Sequence, residues 1–178
     1  RPHRFAAEAV PWDNPAAAAA VLTSDLARFV DEGAGEPWSI AWMAGSATVS
    51  STPEQAAAEH DTLSALLQAL RQRPPMGTGA FFLTSSAGGV HAGAAHPTFT
   101  DATPPIAVSA YGALKLNQEQ VAVTTLSDTC PVVIGRFSNI YGPGQNLQKL
   151  QGLISRLAQA AATQTPLNIF VSLDTLRD

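Results

Sequence analysis

The sequence predicts an α/β chain: a parallel sheet with helices on its faces. Three observations predict it. Apolar runs of strand length lie at Trp38–Ala44, Ala80–Thr84 and Val132–Phe137, and they alternate with helical stretches. The runs are continuous rather than alternating, as in parallel strands buried on both faces. Small or polar residues follow each run: Gly45, Ser85 and Ser86, Ser138 and Asn139. Right-handed crossovers would bring these residues to one edge of the sheet, where such sheets bind ligands.

From Pro15 to Asp31 the residues are helix formers with Val21, Leu22, Leu26, Phe29 and Val30 near helical spacing. Asn14 is positioned to cap this helix and Pro15 to occupy its first turn, with Gly33 and Gly35 ending it. Trp38–Ala44 reads as a buried strand. Thr52-Pro53-Glu54-Gln55 opens a second helix through Leu63, Leu66, Leu67 and Leu70, and Pro74-Pro75 with Gly77 breaks it. Ala80–Thr84 runs into Ser85-Ser86-Ala87-Gly88-Gly89. A Pro/Thr/Ala-rich loop from Gly93 to Val108 is long enough to suggest function. Ser109 precedes a helix to about Leu126, and Val132–Phe137 is the third strand. A turn follows at Tyr141-Gly142-Pro143-Gly144, then a helix over Leu147–Ala162 and a short strand over Leu167–Val171.

The chain has 178 residues, 46% hydrophobic and 13% charged, which is a globular composition suited to one domain. A net charge of −4 gives no electrostatic reason to expect nucleic acid or an anionic membrane. No run reaches the roughly 20 apolar residues of a membrane span. Cys130 is the one cysteine, so no internal disulfide can form, and a cytoplasmic location is expected. His60 and His96 are too scattered to suggest a metal site.

Tyr111-Gly112-Ala113-Leu114-Lys115 sets a phenol and an ammonium four residues apart, on one helix face and one turn apart. A free tyrosine titrates near pH 10, too high for a general base at neutral pH, and a nearby cation favours the phenolate. The pair is therefore a candidate proton-transfer device, although the same spacing arises by chance on surface helices.

Context makes the pair specific. Upstream stands Phe81-Phe82-Leu83-Thr84-Ser85-Ser86-Ala87-Gly88-Gly89-Val90-His91, and downstream Gly135-Arg136-Phe137-Ser138-Asn139-Ile140-Tyr141-Gly142-Pro143-Gly144-Gln145. In order and spacing these segments resemble the extended short-chain dehydrogenase/reductases, the NAD-dependent epimerase/dehydratase family. The resemblance is specific from about Ser39 to Asp178. It implies a Rossmann-like doubly wound parallel sheet and a single partial NAD(P)-binding domain over 1–178, with the start of a substrate-binding lobe in 140–178. It also implies that the first βαβ unit, with its Gly-rich loop, is missing from this sequence, and that the family continues beyond Arg177-Asp178.

By the resemblance, Tyr111 is the general acid/base, Lys115 binds the nicotinamide ribose and tunes Tyr111, and Ser86 orients the reacting oxygen. Ser85, Ala44 and Gly45 would lie along the cofactor, and Phe137 and Ser138 at its nicotinamide end. Ala87, His91 and Asn139 would contact substrate together with Ser86; a histidine in such a loop can equally be a packing residue. Arg1 and Arg4 would face the 2′-phosphate of NADP if they follow the family's second strand, so NADP is slightly favoured over NAD.

Dehydratases of the family carry an Asp-Glu pair where this chain has Gly88-Gly89, which argues against a 4,6-dehydratase. The expected function is oxidation and reduction at a hydroxyl or carbonyl of a nucleotide-sugar-like substrate, by an epimerase or ketoreductase. The alternative is a non-catalytic dinucleotide-binding sensor or scaffold on the same fold. A homodimer through the Tyr111 helix is also implied, using Ala110, Ala113, Leu114 and Val121, residues that could instead serve the core.

Overall fold

The structure is a computed structural model that describes residues 4–95, 98–147 and 153–168. Helix α1 (Pro15–Gly33) starts where the sequence places it. The Asn14 side chain accepts the Ala17 N–H at 3.1 Å, and Pro15 needs no acceptor of its own. It ends on Ala34 in the left-handed region at φ 42°, followed by Gly35 at φ 86°. Helix α2 (Pro53–Gln72) opens on a complete capping box: Thr52 Oγ1 accepts the Gln55 N–H, and Gln55 Oε1 accepts the Thr52 N–H. Helix α4 (Ala110–Leu126) is capped by the Ser109 hydroxyl, which accepts the Gly112 N–H at 3.1 Å.

The strands are β1 (Trp38–Trp42), β2 (Gly79–Ser86) and β3 (Val132–Phe137), in the order β1-β2-β3. β1 and β2 are parallel, with Ile40 opposite Phe81 and Trp42 opposite Leu83. The Phe81 N–H donates to the Pro131 carbonyl at 2.9 Å, just before β3 begins. A short α3 (Ala87–Val90), which the sequence reading did not separate, follows β2 directly.

α1 packs on α2 and α2 on α4, so these three helices lie together over the sheet. The core they enclose is Leu26, Trp42, Leu63, Leu66, Leu67, Leu70, Phe81, Leu83, Ala122 and Leu126. Monotonic strand order with right-handed crossovers puts successive helices on one face. The described strands therefore show one direction of the winding. This is why β1 differs from the expected fully buried strand. Ser39 and Ala41 point to the other face and are exposed, and only Trp42 is buried.

The described residues fall into two units that divide after Arg136. The second unit contains α5 (Leu153–Thr163), none of whose residues is buried. The expected start of that helix and the expected strand at Leu167–Val171 lie largely outside the described residues. No helix among the described residues is long and apolar enough to cross a membrane.

Cys130 sits between α4 and β3, partly buried against the core, and burial pushes its thiol pKa up. The thiolate is the reactive form. At mildly alkaline pH the folded protein should therefore react with iodoacetamide several-fold more slowly than the urea-unfolded chain, and equal rates would contradict this placement.

Candidate active site

The strand-end edge is organised by one carboxylate. Glu119 lies eight residues after Tyr111 and four after Lys115, so all three share a face of α4. Its Oε1 accepts from the Ser85 hydroxyl at 2.5 Å and from Arg136 Nε at 3.0 Å, and its Oε2 accepts from Arg136 Nη2 at 2.7 Å. This bidentate pair raises the Arg136 pKa above its ordinary value, chiefly through the hydrogen bonds to Glu119. Ser85 belongs to β2, Glu119 to α4 and Arg136 to β3, so the cluster ties the Tyr111 helix to two neighbouring strand ends.

His91 extends the cluster. It is buried at 4% exposure and stacks on Phe99 with ring centroids 5.2 Å apart. Its Nε2 lies 3.5 Å from Arg136 Nη1, and its Nδ1 has no hydrogen-bond partner among the described residues.

Above the clamp, Ser86 and Tyr111 stand on either side of Gly89. A Cβ built on Gly89 would lie 3.1 Å from Tyr111 Cε1 and 3.3 Å from Ser86 Oγ. The Ser86 hydroxyl accepts the Gly89 N–H at 3.1 Å, which caps α3. Gly112 brings α4 in: a Cβ there would meet the Gly89 carbonyl oxygen at 2.4 Å. Two glycines thus let the tyrosine ring approach the serine. Ala87 follows Ser86 at the start of α3 and is partly buried.

Lys115 is buried, and its Nζ lies 5.6 Å from the Tyr111 ring centroid. It donates to Gln118 Oε1 at 3.0 Å and to Glu59 Oε1 at 3.5 Å. Beyond Glu59 is the turn after β1, containing Ala44, Gly45 and Ser46. An open cleft of about 600 Å³ adjoins it, with Trp12, Met43, Gly45, Gln55 and Glu59 in its walls.

The structure thus brings together Ser85, Ser86, Ala87, Tyr111, Lys115 and, through Glu59, the Ala44-Gly45 turn. Phe137, Ser138 and Asn139 are exposed and begin the second unit. Arg4 is exposed in an irregular segment, and Arg1 lies outside the described residues. Leu114 is buried and Val121 packs on the core, so of the four residues named for a dimer face only Ala113 is exposed. No group of His, Cys, Asp or Glu among the described residues is arranged to hold a metal ion.

Glu59, Gln118 and Glu119 were not identified from sequence. The signal was present: Glu119 recurs at helical spacing from Tyr111 and Lys115, and Glu59 precedes Leu63, Leu66 and Leu67 at i+4, i+7 and i+8. A carboxylate in an apolar register must find a partner.

A parallel α/β sheet with small and polar residues at its strand ends is a framework in which dinucleotides are bound. The chain belongs to the NAD-dependent epimerase/dehydratase family, whose model matches residues 21–178. It is 39% identical over 94 residues to the dTDP-L-rhamnose 4-epimerase of Burkholderia thailandensis, a match covering 46% of this chain and 26% of that protein. Its fold is similar to that of the UDP-glucose 4-epimerase of Thermotoga maritima, solved with UDP-glucose. The TM-score is 0.68 at 21% identity, over 88% of this chain and 52% of that one. It is also similar to TunA, an NAD-dependent NDP-hexosamine 5,6-dehydratase, with a TM-score of 0.57 at 22% identity over 75% of this chain and 44% of that one. The chain spans about a quarter of the length of the curated relative, and about half of each solved structure.

Removing Glu119 leaves Arg136 without its carboxylate. Breaking a buried pair costs about 3–5 kcal/mol when one partner is left behind, and Arg136, with its side chain 24% exposed, should fall at or below the low end of that range. Urea unfolding of Glu119→Leu should show this loss, and Glu119→Leu/Arg136→Met should recover part of it. A single-variant loss under about 0.5 kcal/mol, the size of a surface substitution, would contradict the clamp.

Proposed function

We propose that this chain carries the catalytic edge of a nucleotide-sugar epimerase or ketoreductase, with NAD or NADP as hydride carrier. The observation that carries the reading is the convergence on Gly89: the Ser86 hydroxyl and the Tyr111 ring flank it, and the Lys115 ammonium sits 5.6 Å from the centre of that ring. A nucleotide-sugar substrate is carried over from the similarity to the dTDP-L-rhamnose 4-epimerase and from family membership.

The residues present fit a dinucleotide. Gly45 stands at φ 151° without a side chain, and a Cβ there would collide with Glu59 Oε1 at 2.6 Å, so this turn keeps its backbone open beside the cleft. Lys115 has three N–H donors and, among the described residues, two protein acceptors in reach, so a third donor can serve a ribose hydroxyl. Ala44, Gly45, Ser85 and Lys115 would line the cofactor. When bound, the cofactor supplies hydride transfer.

Tyr111 exchanges a proton with the sugar hydroxyl or carbonyl oxygen, and Ser86 donates a hydrogen bond that holds that oxygen in place. Water loss needs a further acid/base group. Among the described residues of this edge, Glu119 is engaged by Ser85 and Arg136, and Glu59 by Lys115 and Gln118. Gly88 and Gly89 offer none, which favours epimerisation or simple reduction over dehydration.

The test uses the full-length protein with UDP-glucose and dTDP-L-rhamnose, each with NAD and with NADP. Conversion to the 4-epimer without net reduced nicotinamide identifies an epimerase, and stoichiometric reduced nicotinamide identifies a dehydrogenase. Tyr111→Phe should lower kcat by about 100-fold or more, the usual contribution of a positioned acid/base. Unchanged turnover in Tyr111→Phe would overturn the proposal.

A further inference from the structure

We propose that Glu59 is a positioning residue, a buried carboxylate that ties the Lys115 ammonium to the Gly45–Ala47 turn so that the two are placed as one unit. The inference rests on the reading of Lys115 given above and extends it to a residue on a different helix.

Glu59 lies on α2, far in sequence from both groups it joins, and its side chain is only 10% exposed. Its Oε2 accepts the N–H groups of Ser46 and Ala47, each at 3.0 Å. Its Oε1 accepts from Gln118 Nε2 at 3.2 Å and from Lys115 Nζ at 3.5 Å. Gln118 closes the ring by accepting from Lys115 at 3.0 Å. The carboxylate therefore has one oxygen on the turn and the other on the helix that carries Tyr111.

Access depends on Gly45, where any side chain would begin 2.6 Å from Oε1. A lysine amine on its flexible four-carbon stem has no fixed place of its own. Among the described residues, its protein acceptors are Glu59 and Gln118. The other titratable groups described at this edge have contacts of their own. Glu119 on the same helix is taken by Arg136 and Ser85, His91 packs on Phe99, and Tyr111 presents its ring to the ammonium. Glu59 is thus the carboxylate that faces Lys115. A staple needed only to hold α2 to the turn would use the two backbone bonds alone.

The test has one arm without cofactor and one with it. In the full-length protein, the backbone amide resonances of Ser46 and Ala47 should move in Lys115→Met, although neither residue touches the lysine. Unmoved resonances would overturn the tie. In turnover, Glu59→Gln should lower kcat about tenfold with a smaller change in KM, since a misplacement on the order of 1 Å can cost 100-fold. Gln118→Met removes the other acceptor and should act in the same direction.

In a Lys115→Met background, Glu59→Gln should cost less than about twofold, because a residue acting through another loses its effect when that partner is gone. The same tenfold cost in both backgrounds would show a purely structural role and overturn the proposal. Full turnover in Lys115→Met would instead overturn the reading of the site itself. The amide arm reports the tie separately from that outcome.

Discussion

The bidentate pair between Glu119 and Arg136, with Ser85 donating to the same carboxylate, is the interaction on which the edge depends. A parallel sheet places strand ends side by side but does not fix the rotation of the helix that crosses above them. Hydrophobic packing of Leu114, Ala122 and Leu126 buries one stripe of α4. The clamp adds direction, because a planar guanidinium meets a carboxylate in few orientations. With Glu119 fixed, Lys115 and Tyr111 follow at one and two turns up the same face. The serine that continues β2 beyond Ser85 is then set beside the tyrosine.

Charge in this edge is organised in pairs. Glu119 answers Arg136, and Glu59 answers Lys115. Isolated buried charges would be costly, and pairing with additional hydrogen bonds makes them tolerable. A chemical consequence follows: neither carboxylate stands free to act as a second acid or base beside Tyr111. The glycine at 89 admits the tyrosine ring where a larger residue would crowd it, so it serves close approach as well as lacking a titratable group.

Much of the fold was legible because local signals agreed with one another. Asn14-Pro15, Thr52 with Gln55, and Ser109 each began a helix where a polar cap precedes an apolar periodicity, and β3 matched its apolar run from Val132 to Phe137. Burial on the second face of β1 was not legible, since Ser39 and Ala41 depend on what lies across the sheet rather than on their neighbours in sequence. Tyr111, Lys115 and Ser86 were legible from order and spacing, and the structure brings them together. Glu59 showed only as a carboxylate in an apolar register; its contact with Gln118, from α2 to α4, has no short-range pattern. Ser85 and Ser86 looked equivalent in sequence; strand alternation separates them, burying Ser85 against Glu119 and leaving Ser86 beside Tyr111.

The central claim is that hydride and proton transfer occur at the Ser86–Tyr111–Lys115 edge. A crystal structure of the full-length protein with NAD and UDP-glucose tests it most directly. The account predicts the reacting sugar oxygen within about 3 Å of both Tyr111 Oη and Ser86 Oγ, the reach of a hydrogen bond, with Lys115 Nζ on a ribose hydroxyl. A nicotinamide ring and sugar bound away from Gly89, with Tyr111 contacting neither, would contradict it.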